Sequence, residues 1–265
     1  MSLFEAIILG IIQGLTEFLP VSSSGHIEIG SYFLGAQSSD NLLFSIIVHA
    51  ATALSTIVVF RHTIWEIIRD LFKFEWNEST QFAAKIVLSM IPIGVVGVLF
   101  EEKIETLFGG NVIFVASMLL ITGLLLTITY YTKDGDNKVT FGRALIIGLA
   151  QTIAILPGIS RSGATIATAL YLGVEKTRAT RFSFLMVLPP ILGAALIKAL
   201  DVVKAPEVAA GNISAVALIA GFIAAFIAGL LACQWMIAIV KRGKLIYFAI
   251  YCFIIGSAVL ITHIF

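Results

Sequence analysis

Two short stretches hold the residue types that can do chemistry. The first, "QGLTEFLPVSSSGH" at 13–26, carries Gln13, Glu17, Ser22, Ser23, Ser24 and His26. The second, "PGISRSGAT" at 157–165, carries Ser160, Arg161, Ser162, Gly163 and Thr165. Gln13 and Glu17 are four apart and share one face of a helix. Ser22 or Ser23 is a candidate nucleophile and His26 a candidate base or acid for a serine hydroxyl. Glu17 is placed to orient that histidine or to hold a cation. In the second stretch Pro157 and Gly158 set a turn, and a helix restarting near Gly163 aims its free N–H groups at the hydroxyls around it. Arg161 adds a planar, permanently charged fork that matches phosphate oxygens. One stretch thus reads as acid–base equipment and the other as an anion site.

The chain that must position them is a membrane protein. Its 265 residues are 59% hydrophobic and 12% charged, with a mean hydropathy of +1.03, outside the range of soluble domains. Apolar runs long enough to cross a bilayer recur at Leu42–Phe60, Phe82–Phe100, Asn111–Tyr131, Phe182–Leu200, Ile213–Val240 and Leu245–Phe265. They lack the alternation of barrel strands, so the fold class is all-α and polytopic. Residues 1–20 lack a basic start and contain Glu5 and Glu17, unlike a signal peptide. Cys233 and Cys252 lie in apolar runs without metal-ligand spacing, and His49, His62 and His263 read as structural. A net charge of +1 says nothing about partners, and no nucleic acid is expected among them. A homodimer is compatible with the sequence, but no motif fixes the number of chains. Glu17 and Arg161 would each cost roughly 2.5–3.5 kcal/mol or more if unpaired in lipid, so each needs a partner. A mere staple between the two is the lesser reading, because a staple needs neither the histidine nor the serines.

Self-comparison shows a repeat at an offset of 138 residues: Gly10 with Gly148, Gln13 with Gln151, Ser24-Gly25 with Ser162-Gly163, Phe44-Ser45 with Phe182-Ser183. The two halves, 1–135 and 136–265, form one integral membrane domain (1–265). Each opens with an apolar stretch broken by Pro and Gly, read as a re-entrant hairpin, and continues with three crossings. An odd number of crossings per half makes the repeat inverted. On that topology thirteen basic residues (Arg61, Arg69, Lys73, Lys85, Lys133, Lys138, Arg143, Lys176, Arg178, Arg181, Lys241, Arg242, Lys244) share one side. Only Lys103, Lys198 and Lys204 face the other. The positive-inside rule makes the first side cytoplasmic and puts both termini and the mouth of the site outside. Residues 61–78 read as an interfacial helix, and Pro92 and Pro189-Pro190 as kinks.

The two polar stretches resemble the signature motifs of the undecaprenyl-diphosphate phosphatases, also called bacitracin-resistance proteins, and "RFSFLMVLPP" at 181–190 extends the resemblance along the chain. The resemblance implies hydrolysis of undecaprenyl diphosphate to undecaprenyl phosphate in the bacterial cytoplasmic membrane. That reaction recycles the lipid carrier of cell-wall synthesis and confers bacitracin resistance. It makes Glu17, Ser23, His26 and Arg161 the catalytic set, with Gln13, Ser22, Ser160, Ser162, Gly163 and Thr165 around the substrate. It also implies a divalent cation, Mg²⁺ or Ca²⁺, with Glu17 as its protein ligand. The family admits Glu or Gln at the position of Gln13, so this chain offers one carboxylate where some relatives have two. Ser23 activated by His26, or a water activated at Glu17 and His26, are the two versions of attack. The competing class is a flippase or anion transporter, because inverted repeats with broken helices also build transporters.

Overall fold

A computed structural model describes residues 1–34, 41–100, 111–193, 195–196 and 213–264. The first half contains α1 (Leu3–Phe18), α2 (Ser23–Leu34), α3 (Asn41–Val59), α4 (Arg61–Leu71), α5 (Glu78–Leu99) and α6 (Val112–Tyr130). The second contains α7 (Phe141–Ile153), α8 (Arg161–Tyr171), α9 (Lys176–Met186), α10 (Ala215–Lys241) and α11 (Ile246–Ile264). Among the described residues α5, α6, α10 and α11 are long and apolar enough to cross a bilayer, and α3 with α4, one pair bent by 78°, counts as a fifth only if taken as a single span. The protein is therefore a multi-pass helical membrane protein.

Most apolar runs become the expected helices; 182–200 does not. There α9 ends at Met186, Val187 turns, and helix resumes over 188–193. Pro189 and Pro190 lack the N–H groups that would bond the carbonyls of Leu185 and Met186, so the ladder lapses there. Residues 194 and 197–200 of that run, with Lys198, Lys204 and Lys103, lie outside the described residues. Pro92 lies within an unbroken α5. The bend after α3 lays α4 out with no buried residue, as an interfacial helix requires. Asp70 near its end receives Lys73 and Ser79, which hold its carboxyl down at about 2.

Both broken stretches are short-helix hairpins, α1–α2 and α7–α8. Each packs on a long helix of the other half through a glycine at the same repeat position. A Cβ on Gly10 would strike the Gly221 carbonyl of α10, and one on Gly148 the Ser89 carbonyl of α5. The breaks meet reciprocally: Gly25 lies against Gly158, and Gly163 against Pro20. Adding the repeat offset to one contact gives the other.

One end of the bundle gathers charge, with Lys138 on Glu78 (2.8 Å), Lys176 on Asp134 (2.5 Å) and Arg143 on the Lys138 carbonyl. At the other end the His263 ring lies 5.1 Å from Tyr32, and Met1 packs into the cluster that contains Ile213.

Candidate active site

Backbone bookkeeping explains the serines first. A helix that begins inside a membrane has no water for its first N–H groups, so side chains must accept them. Ser160 caps α8, its Oγ accepting the Gly163 N–H at 3.0 Å. Ser22, its repeat counterpart, accepts the Gly25 N–H at 3.3 Å. The second serine of each pair follows suit: Ser22 and Ser24 hydroxyls lie 3.4 Å apart, Ser160 and Ser162 hydroxyls 3.3 Å. Because of this cap α8 starts at Arg161, two residues before the expected restart at Gly163. Thr122 of α6 donates to the Gly158 carbonyl and accepts the Ser160 N–H, both at 3.0 Å. Cys252 of α11 points its thiol at the Pro20 carbonyl, 3.9 Å away.

The caps differ in one respect. The left-handed residue of the second break is Gly158 (φ 97°), whereas in the first it is Ser22 (φ 68°). An L residue pays roughly 1–2 kcal/mol for that conformation. The strain falls on the residue directly before Ser23.

With both caps in place, the first helical residues of α2 and α8 are Ser23 and Arg161, and both converge on Glu17 from α1. Glu17 Oε1 accepts from Arg161 Nη2 at 3.0 Å. Its Oε2 accepts from Ser23 Oγ at 2.6 Å and from Gln13 Nε2 at 2.9 Å. The carboxylate side chain is 7% exposed and the guanidinium 27%, so this is a largely buried ion pair that breaks at high cost if one member is removed. His49 of α3 completes the ring, its Nε2 3.7 Å from Glu17 Oε2.

His26 is placed differently from the sequence expectation. Its Nδ1 lies 2.8 Å from the Ser22 carbonyl, which can only accept, so Nδ1 carries the hydrogen. Nε2 is then left for the Tyr251 hydroxyl of α11, 2.9 Å away, with the two rings stacked. Both nitrogens are thus engaged away from Ser23. The partner of the Ser23 hydroxyl is Glu17, and the histidine beside Glu17 is His49, which reads as structural in the sequence. Nothing in the spacing of His49 signals this, because α3 and α1 meet only in the fold. The other expected binding residues divide as well: Thr165 bonds back to the Arg161 carbonyl (2.9 Å), while Ser162 reaches the Leu19 carbonyl (3.3 Å).

A cavity opens on this cluster. Its polar wall is Glu17, Arg161, Ser162 and Ser183; Thr52 and Thr56 also line it, with their hydroxyls turned back onto α3. Phe18, Ala53, Phe184, Val187 and Ile191 make the other wall, where Phe18 and Phe184 pack edge to face at 5.6 Å. A charged wall facing an apolar one suits an amphiphile with an anionic head.

The family described as bacitracin resistance protein BacA matches residues 6–258. An undecaprenyl-diphosphatase of Christiangramia forsetii is 56% identical over 263 residues, covering 98% of each chain. One of Bacteroides thetaiotaomicron is 55% identical over 265 residues, the whole of both. Another, of Methanobrevibacter smithii, is 37% identical over 284 aligned positions, again spanning both chains entirely.

Proposed function

Since this chain belongs to the bacitracin resistance protein BacA family and hydrolyses undecaprenyl diphosphate to undecaprenyl phosphate, we propose that the reaction runs at the Glu17 carboxylate. The product returns the lipid carrier to cell-wall synthesis, and the loss of free diphosphate removes the species that bacitracin sequesters.

Arg161 binds the diphosphate, moving part of its fork from Glu17 to the phosphate oxygens. The Arg161 and Ser162 N–H groups at the start of α8, without a hydrogen-bond partner among the described residues, are available to the same charge. Glu17 Oε2 takes the Ser23 proton along the existing 2.6 Å hydrogen bond, and Ser23 Oγ attacks the terminal phosphorus. The P–O bond to the bridging oxygen breaks as Glu17 passes the Ser23 proton to that oxygen, and undecaprenyl phosphate leaves. The freed carboxylate then takes a proton from water, which attacks the phosphoserine, and returns it to Ser23 Oγ as the Oγ–P bond breaks and inorganic phosphate leaves. A phosphate monoester is a good leaving group, so this route does not call on His26 as an acid. His26 instead fixes the Ser22 turn from which Ser23 projects. Ser22 and Ser160 support the two N-termini, Gly163 gives α8 room beside Pro20, and Thr165 holds the Arg161 turn.

The donor set bears on the divalent cation. Among the described residues no three His, Cys, Asp or Glu side chains converge, and Glu17 is already shared with Arg161. What fits is a cation carried mainly by the diphosphate, touching Glu17 and Gln13 Oε1, a buried oxygen with no hydrogen-bond partner among the described residues. Bound there, Mg²⁺ or Ca²⁺ would neutralise part of the substrate's charge.

The halves 1–135 and 136–265 are read as an inverted repeat, supported by the reciprocal Gly25–Gly158 and Gly163–Pro20 contacts. By the positive-inside rule the charged end is cytoplasmic, which sets both termini and the mouth of the site on the outer face.

The observation that carries the mechanism is the meeting of Ser23 and Arg161, the first residues of two broken helices, on one buried carboxylate. Glu17→Gln tests it: phosphate release from the lipid diphosphate by purified protein falls by about 10²- to 10⁴-fold. Wild-type turnover in that variant would overturn the assignment, and wild-type turnover in Ser23→Ala would hand the attack to water.

A further inference from the structure

Ser183 belongs to neither polar motif, yet its side chain borders the same cavity as Glu17 and Arg161. It is 3% exposed, and its Oγ has no hydrogen-bond partner among the described residues. That is unusual in this protein, where buried hydroxyls in helices bond back one turn: Ser55 to Ala51, Thr56 to Thr52, Thr180 to Lys176. Ser31 and Thr80 also lack partners, but neither borders the cavity. The repeat explains why Ser183 is different. Its counterpart Ser45 has His49 one turn on, with Nδ1 3.4 Å from the hydroxyl and 2.7 Å from the carbonyl. The residue matching His49 in the second half is Val187, which offers nothing.

We propose that Ser183 is a substrate-binding residue whose hydroxyl donates to a phosphate oxygen of the diphosphate beside Arg161. A buried hydroxyl without a partner weakens the ligand-free protein, and the loss is recovered only when an acceptor arrives. The inference rests on the Glu17–Arg161 cavity being the site of hydrolysis.

A serine kept for folding and a serine kept for the ligand respond oppositely to Ser183→Ala. In full-length protein with undecaprenyl diphosphate, KM rises about tenfold, the loss expected for one hydrogen bond to a charged group, while kcat stays within about twofold. The thermal midpoint without substrate stays level or rises, because the lost group had no partner there. Ser183→Thr, which keeps the hydroxyl, holds KM near the wild-type value. An unchanged KM in Ser183→Ala, or a lowered midpoint or failure to fold, overturns the proposal. If Glu17→Gln inactivates the protein while Ser183→Ala leaves KM alone, only this inference fails; an active Glu17→Gln protein takes the underlying reading with it.

Discussion

The two breaks solve the same backbone problem with the same residues and then diverge. Ser22 and Ser160 cap, Ser24 and Ser162 brace them, and Gly25 and Gly163 give up the capped N–H. Those positions match because a helix start buried away from water must satisfy its first amides. The positions free of that duty differ: Ser23 against Arg161, Glu17 against Ile155, His26 against Ala164. The proposed nucleophile and its base stand on one side and a fixed cation on the other, and Glu17 and Arg161 meet only when the two halves pack together. The 138-residue offset matches the two N-termini, and the residues that differ between them are complementary.

The sharpest way to break that complementarity is to remove the cation. Arg161→Ala leaves Glu17 buried without its partner at a cost of about 3–5 kcal/mol in stability. Phosphate release falls at least 10³-fold, below what Glu17→Gln retains at its best; Arg161→Lys, without the planar fork, recovers only part. Activity and thermal midpoint measured together test both outcomes. The equivalence of the two hairpins is tested by Gly10→Ala and Gly148→Ala. Each added methyl runs into a carbonyl of the facing helix, so each lowers stability by about 1–3 kcal/mol, and by similar amounts. A large loss in one and none in the other would separate the halves. Smallest is the cap pair: Ser22→Ala and Ser160→Ala each cost about 1 kcal/mol, read from denaturation midpoints. Ser22→Ala also lowers turnover more than Ser160→Ala, because Ser22 sets the turn that presents Ser23.

The apolar runs, the matching breaks and the need of Glu17 and Arg161 for partners were legible in the chain, since hydropathy, helix breakers and the price of a lone charge in lipid are local properties. Their pairing with one another was the lesser of the two readings of these charges, and it forms at 3.0 Å. The partner of Ser23 was not legible. His26 stands one helical turn from Ser23, so it looked like the base, but the tertiary partners differ: His26 is held by the Ser22 carbonyl and Tyr251, and Ser23 by Glu17. His49 and Ser183 were missed for the converse reason. Neither belongs to a polar break or lies near Glu17 in sequence, and only the packing of α3 and α9 around the breaks brings His49 to Glu17 and Ser183 to the cavity.

By itself, then, the sequence determined a helical membrane protein with two broken hairpins, capped by serines and carrying opposite charges, because each of those features follows from a residue's own cost in lipid or its own backbone geometry. Which hydroxyl faces the carboxylate, which histidine stands beside it and which serine is left without a partner were decided by tertiary structure. They depend on segments far apart in the chain: Glu17 and Ser183, 166 positions apart, line one cavity, and helix packing brings them there.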